Sequence, residues 1–100
     1  MEEKIKAKTF YERLQENLGN NKNVKYNTIR YVSLAMAICD MNNWGEHTYI
    51  EWLELLEKTC YTYSGSFYCY DLRLVSNGLL GLSTALKLER DNALKLINNK

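Results

Sequence analysis

The chain has one histidine, His47, which is the first candidate for chemistry because Glu46 lies beside it and Glu51 follows four residues later. A His and a Glu at that separation can share a helix face, where they would suit a metal ion or an acid–base pair. Two ligands do not make a site, and no second histidine or cysteine pair lies nearby in the sequence. We therefore expect His47 to be a solvated residue in, or just before, the first turn of a helix.

The three cysteines, Cys39, Cys60 and Cys69, are odd in number and have unrelated spacings. This pattern is not a disulfide framework, and it indicates reduced thiols, some of them buried as small apolar side chains. A catalytic cysteine normally needs a histidine partner, and the chain has no Gly-rich phosphate loop, Gly-x-Ser-x-Gly elbow or Cys-x-x-Cys pair. We expect a non-enzymatic protein with no cofactor and no bound metal.

Three glutamates form the clearest charged pattern, since Glu51, Glu54 and Glu57 recur every three residues on one face of a predicted helix. A line of carboxylates does not surround a divalent cation, which needs about six oxygen ligands from converging elements. Two interpretations stay open: a solvated helix face, or an acidic face that docks on a basic partner. Residues 31–60, with one Lys and five acidic residues, form an acidic middle of the chain.

Aromatic residues are concentrated in residues 61–70, where five of the ten positions are Tyr or Phe. Tyrosine is enriched at protein interfaces, because it combines a large apolar ring with a polar tip. One loop does not easily bury so many rings, so partner binding and capping of the bundle's end are both open. The candidate partner-binding residues are Glu51, Glu54, Glu57, Tyr61, Tyr63, Phe67, Tyr68 and Tyr70.

The first third of the chain is basic, with seven Lys or Arg and four Glu in residues 1–30. Phosphate contacts need such residues clustered on one surface, but Glu3, Glu12 and Glu16 interrupt them and no helix-turn-helix signature is clear. Nucleic acid is therefore an alternative partner that the pattern does not favour. The basic residues are Lys4, Lys6, Lys8, Arg13, Lys22, Lys25 and Arg30.

Helices are the elements expected to position these residues, because fifteen leucines and the absence of proline favour long uninterrupted helices. Apolar residues recur at helical spacing in five segments. We predict an all-α bundle of four to five helices. Their ranges are about 2–18, 24–41, 48–60, 66–77 and 79–97. For residues 61–70 a short β-hairpin is the alternative.

Local signals refine these boundaries. Thr48 and Glu51 match a capping box, so the third helix should begin near Thr48. Gly19 and Gly78 are expected to stop or kink helices. The helix over 24–41 is apolar on most of its circumference, which predicts that it lies at the centre of the bundle.

Length and composition are typical of a single globular domain over residues 1–100, with 46% apolar and 25% charged residues. No apolar run approaches about 18 residues, and the charged start of the chain does not resemble a signal peptide. We expect a cytoplasmic protein with no membrane partner.

Eleven asparagines, nine lysines and eight tyrosines give a composition that resembles the usage of AT-rich bacterial genomes and their phages. We therefore expect a protein-interaction module, a small phage or mobile-element protein that binds and inhibits a larger host protein or defence complex. Its own copy is the other candidate partner. The alternatives are a small nucleic-acid-binding or regulatory protein, and a small-ligand binder or minor enzyme with a pocket between helices.

Overall fold

The computed structural model describes residues 3–38, 40–64 and 73–98 of the chain. Within these ranges the chain forms four α-helices and two short strands, which confirms the predicted small all-α bundle. The helices pack around one apolar core. The helices are α1 (Ala7–Gly19), α2 (Tyr26–Ile38), α3 (Tyr49–Ser64) and α4 (Arg73–Asn98), and the strands are β1 (Lys4–Lys6) and β2 (Glu46–Thr48).

Strand β1 replaces the first turn of the helix predicted over 2–18. Its residues alternate, with Ile5 buried between two exposed lysines, and this period of two fits a strand. Ile5 pairs with His47 in an antiparallel register. The Ile5 carbonyl also accepts a 2.8 Å hydrogen bond from Trp52 Nε1, whereas a helical carbonyl would be bonded within its own helix. Contacts that are distant in sequence therefore decide the conformation of this segment.

Helix α3 extends past its predicted end at Cys60, because residues 61–64 form its last turn. These four residues belong to the segment 61–70, for which a hairpin was the alternative, and residues 65–70 lie outside the described ranges. The sheet in the described part joins β1 to β2 instead. Of the helix predicted over 66–77, residues 73–77 form the start of α4.

The start of α3 confirms the predicted capping box. The Thr48 backbone N–H donates to Glu51 Oε1 at 2.9 Å, and the Glu51 backbone N–H donates to Thr48 Oγ1 at 3.2 Å. These two bonds satisfy backbone donors that the first turn of a helix leaves without an intrahelical partner. The local sequence thus sets where α3 begins and how its apolar face is oriented.

Helix α3 is the centre of the core, where Trp52, Leu53 and Leu56 are fully buried. Its apolar face packs along α4 and against α1. The Trp52 ring stacks on Phe10 of α1 with ring centroids 5.6 Å apart. The buried residues from the other two helices in this part of the core are Phe10, Leu14 and Leu18 of α1 and Leu79, Leu82 and Leu86 of α4.

The prediction that the helix over 24–41 lies at the centre is wrong. Val32 and Ala35 are the fully buried residues of α2, and Leu34 stays 38% exposed. Helix α2 packs beside α1 and α4, and several of its apolar side chains are only partly buried among the described residues. An apolar composition shows that a helix can be buried, but the packing decides how much of it is.

Helix α4 runs through Gly78, where the sequence predicted a stop or a kink. The Tyr31 ring of α2 lies against this glycine, and a Cβ at position 78 would come within 2.2–2.5 Å of the ring carbons. Gly78 therefore permits a close approach of α2 to α4 instead of ending a helix. Residues 73–77 of the helix predicted over 66–77 and the helix predicted over 79–97 therefore belong to one continuous element.

With 26 residues, α4 has the length that a membrane-spanning helix requires. Charged residues are concentrated in its second half, however, and polar residues interrupt its first half. No helix in the described ranges combines the length and the apolar character needed to cross a bilayer.

Candidate functional site

A groove of about 690 Å³ runs between α3 and α4, and three of the predicted partner-binding residues line it: Glu54, Glu57 and Tyr61. Their spacing of three and four residues places them on one side of α3. Across the groove, a matching stripe of α4 supplies polar and basic side chains. We call this surface the α3–α4 groove, and its other lining residues are Lys58, Thr62, Ser83, Lys87 and Arg90.

Glu57 is the predicted site residue most firmly fixed by the fold. Arg90 Nη1 of α4 donates to Glu57 Oε2 at 3.0 Å, and the two side chains are only 23% and 20% exposed. A partly buried ion pair is screened less by solvent than a surface one. Glu57 therefore joins α3 to α4 and does not contribute a free negative charge to the surface.

Glu51 is exposed and is part of the α3 capping box, which the structure separates from the α3–α4 groove. Hydrogen bonds from the Thr48 backbone N–H and hydroxyl hold the pKa of the Glu51 carboxyl below its ordinary value. Glu51 lines a neighbouring hollow of about 320 Å³ that also includes His47 and Glu54. Its charge contributes to the helix start, where the helix dipole favours a negative group.

Glu54 is the one member of the predicted acidic face without a hydrogen bond or ion pair to the described part of the chain. It lies in a groove that also contains Lys58, Lys87 and Arg90, so the groove carries charges of both signs. The groove is therefore not a purely acidic surface, because three basic residues lie among its carboxylates. The sequence could have indicated this from the positions of Ser83, Lys87 and Arg90, which recur at helical spacing.

Tyr61 is the aromatic residue that the structure places on the α3–α4 groove, and its side chain is 71% exposed. Of the other predicted aromatic residues, Tyr63 has a side chain outside the described part. Phe67, Tyr68 and Tyr70 lie outside the described ranges altogether. Tyr61 lies beside Glu54 and Glu57 because α3 continues past Cys60 to Ser64.

His47 is half-buried in β2 and lies just before the first turn of α3, which is one of the two positions expected for it, although its side chain is less solvated than expected. Its Nε2 hydrogen-bonds the Trp44 carbonyl at 3.0 Å, and its ring lies edge-on against Trp52 at 4.7 Å. The pairing of β2 with β1 draws it into this position. Among the described residues, no three His, Cys, Asp or Glu side chains form a group that could hold a metal ion.

A second polar arrangement, which sequence reasoning missed, joins α1, α3 and α4 through Asn17, Tyr49 and Glu89. The Tyr49 hydroxyl donates to Glu89 Oε2 at 2.5 Å, and Asn17 Nδ2 donates to the same oxygen at 2.8 Å. Asn17 Nδ2 is also 3.0 Å from the Tyr49 hydroxyl oxygen, which accepts from it. Burial first, then the hydrogen bond to Glu89 and its negative charge, raise the pKa of Tyr49 far above its ordinary value.

The signal for this arrangement was the position of Glu89 in the sequence. It follows Leu82 and Leu86 at helical spacing, so it occupies the apolar stripe of α4 and is only 9% exposed. A charged residue in such a stripe is rarely buried without hydrogen-bond partners. Its partners, however, come from residues that are 72 and 40 positions away, which no local pattern reveals.

A comparison with known protein families, a search of curated proteins and a search of solved structures each found no match to this chain.

Proposed function

We propose that the protein is a non-enzymatic interaction module that binds a larger protein through the α3–α4 groove. The observation that carries this proposal is Tyr61, a large aromatic side chain 71% exposed in a groove between two helices. Exposed aromatic side chains in grooves are preferred anchors at protein interfaces, since they bury much surface and lose little side-chain entropy.

The charges around Tyr61 indicate the chemistry of the partner surface. Glu54, Lys58 and Lys87 lie on the same groove, so a complementary surface would present both basic and acidic groups around an apolar contact. Charges at the rim of an interface mainly set its specificity and association rate, while the aromatic anchor contributes most of the affinity. Tyr61 is accordingly the residue on which the proposal is tested.

At the level of biology, we propose a small phage or mobile-element protein that acts in the cytoplasm of a bacterial host by inhibiting a host defence complex. The support is compositional, because the chain is rich in Asn, Lys and Tyr. A compact helical module that exposes an interface residue also suits a protein that acts by blocking a larger one. A second copy of the chain is the other candidate partner.

The test compares Tyr61→Ala with Tyr26→Ala, a matched control on α2 whose side chain is 74% exposed. Immobilised wild type and variants are incubated with bacterial lysate, and the retained proteins are quantified by mass spectrometry. We expect Tyr61→Ala to reduce retention of a specific protein about tenfold, the usual effect of removing an aromatic anchor, and Tyr26→Ala to leave it unchanged. Circular dichroism checks that both variants are folded.

Equal retention by wild type and Tyr61→Ala would contradict the proposal, as would the absence of any specifically retained protein. Sedimentation equilibrium of the purified chain tests the alternative of a second copy. A dimer that Tyr61→Ala dissociates would identify the chain itself as the partner.

Nucleic-acid binding is a second candidate function, because all seven basic residues of the first third have exposed side chains. Such binding would weaken steeply with salt, since each phosphate contact releases counterions. Two of these basic residues lie next to other groups of the fold, which disfavours nucleic-acid binding. Arg13 lies over the Tyr49 ring at 5.2 Å, and Lys6 faces Glu46 across the sheet. A gel shift at low salt that disappears as the salt concentration rises would favour this candidate over the protein-binding one.

A further inference from the structure

A second groove, of about 510 Å³, lies between α1 and the C-terminal part of α4. Tyr49 and Glu89 lie on it, and Ala93, Leu96 and Ile97 form its apolar wall. We call it the Glu89 groove. Its residues are distinct from those of the α3–α4 groove, so the inference below does not depend on the proposed function.

The Glu89 carboxylate accepts hydrogen bonds from described residues at one of its two oxygens only. Tyr49 and Asn17 both donate to Glu89 Oε2, and no described residue donates to Oε1. Within the described ranges Glu89 also has no Lys or Arg in an ion pair, since Arg90 pairs with Glu57. Among the described residues no buried side-chain oxygen lacks a hydrogen-bond partner, so Glu89 Oε1 reaches the groove and is open to a positive group that enters it.

Arg13 also borders the groove, but it is not within ion-pair distance of Glu89. Its guanidinium lies 5.2 Å from the centre of the Tyr49 ring, on the ring face, and it forms no ion pair with Glu89. Asn17, the other α1 side chain in this arrangement, is uncharged. The negative charge of Glu89 is therefore available to a ligand.

The wall of the groove continues the apolar stripe by which α4 packs on the core. Beyond Leu86, the same helical spacing leads to Ala93, Leu96 and Ile97. Leu96 is nevertheless 70% exposed and Ile97 is 37% exposed. The stripe therefore extends past the core with apolar surface that the described part of the chain does not cover.

We propose that the Glu89 groove binds an arginine or lysine side chain of a partner polypeptide. The cationic head would meet Glu89 Oε1, and the aliphatic stem would lie against Leu96 and Ile97. Long basic side chains combine these two properties, because their methylene stems pack on apolar surface while the charge is paired. The volume of about 510 Å³ accommodates one such side chain with its neighbours.

The test uses two blocked tripeptides, acetyl-leucyl-arginyl-leucine amide and the same peptide with citrulline in place of arginine. Citrulline keeps the shape of arginine but carries no charge. Titration of ¹⁵N-labelled full chain should shift the backbone amides of Asn17, Tyr49 and residues 89–97 with the arginine peptide. The citrulline peptide should bind about tenfold more weakly, because it cannot pair with Glu89.

Glu89→Gln keeps acceptors for Tyr49 and Asn17 but removes the charge, so both peptides should then bind it equally. Leu96→Ser, on an exposed residue that the fold tolerates, should weaken both peptides, while Leu88→Ser, 47% exposed, should change neither. The two leucine variants, Leu96→Ser and Leu88→Ser, keep the test valid if Glu89→Gln does not fold. Equal binding of the two peptides to the wild type would overturn the proposal, as would a concentration-dependent dimer that buries Leu96.

Discussion

Tyr49 is a buried phenol whose proton is held by Glu89. The ionised phenolate would lie beside the Glu89 carboxylate, away from water, so two negative charges would face each other at hydrogen-bond distance. Burial and this neighbour raise the pKa of Tyr49 far above its ordinary value. At the residue scale, the polar arrangement therefore makes the protonation state of Tyr49 part of the stability of the fold.

The pH dependence of stability follows from the direction of that shift. In the unfolded chain Tyr49 titrates near its ordinary value of 10.0, and in the folded chain it titrates at higher pH. Its contribution is therefore complete below pH 10 and is lost progressively above it, by up to about 1.4 kcal/mol per pH unit for one proton. Urea unfolding at pH 8 to 11 should show a steeper loss of stability for wild type than for Tyr49→Phe.

At neutral pH, Tyr49→Phe should itself be less stable by about 1 kcal/mol, because Glu89 loses one of its two hydrogen bonds. If wild type and Tyr49→Phe lose stability in parallel above pH 10, the ionisation of Tyr49 does not contribute to the stability of the fold in that range, which would contradict the raised pKa of Tyr49.

At the scale of a single element, the capping box shows how α3 is started. Thr48 and Glu51 exchange hydrogen bonds with each other's backbone N–H groups. The stabilisation from the Glu51 charge is present above the ordinary carboxyl value of 4.5 and is lost as the pH falls below it, because its folded pKa is lowered. The same two residues that made the start of α3 predictable therefore make its first turn sensitive to acid.

Thr48→Ala should lower the free energy of unfolding by about 1 kcal/mol, the usual cost of losing an N-cap side chain. Thr84→Ala is the matched control, because Thr84 lies inside α4 and donates to the Leu80 carbonyl of its own helix. Alanine is a better helix former at such a position, so this variant should be as stable as wild type or slightly more so. Denaturant unfolding distinguishes the two, and equal effects would contradict the capping role.

At the scale of the whole molecule, the bundle depends on how closely its helices approach. Helix α2 reaches α4 at Gly78, where the Tyr31 ring occupies the space that a Cβ would need. Gly81, one turn further along α4, faces only Thr28 Oγ1 at 3.9 Å. Two glycines in one helix therefore have different roles, one in packing and one without a packing requirement.

Gly78→Ala should destabilise the protein by about 1–3 kcal/mol, because the Tyr31 ring must move to admit a methyl group. Gly81→Ala makes the same change in intrinsic helix propensity without a clash, so it should stabilise the protein by up to about 1 kcal/mol. Thermal unfolding of the pair measures the difference. If both variants are stabilised alike, Tyr31 yields without cost and Gly78 has no packing role.

The amino-acid sequence by itself determined the features that depend on neighbours within a few positions. The capping box of Thr48 and Glu51, the apolar face of α3 and the end of α1 at Gly19 follow from such spacing, and the structure agrees with each. The common side of Glu54 and Glu57 was predictable for the same reason, because a helix puts residues three apart on one side, whereas Tyr61 joins them only because α3 continues past its predicted end. Local geometry is the same in any fold, so these features could be predicted.

The tertiary structure alone decided the features that depend on distant residues. It turned Ile5 into a strand residue bonded to Trp52, placed Gly78 under Tyr31 and paired Glu57 with Arg90. It also brought Asn17 and Tyr49 to Glu89, and left the end of the α4 stripe exposed. Sequence patterns show that a residue is apolar, small or charged, but only the packing of the elements decides which partner it meets.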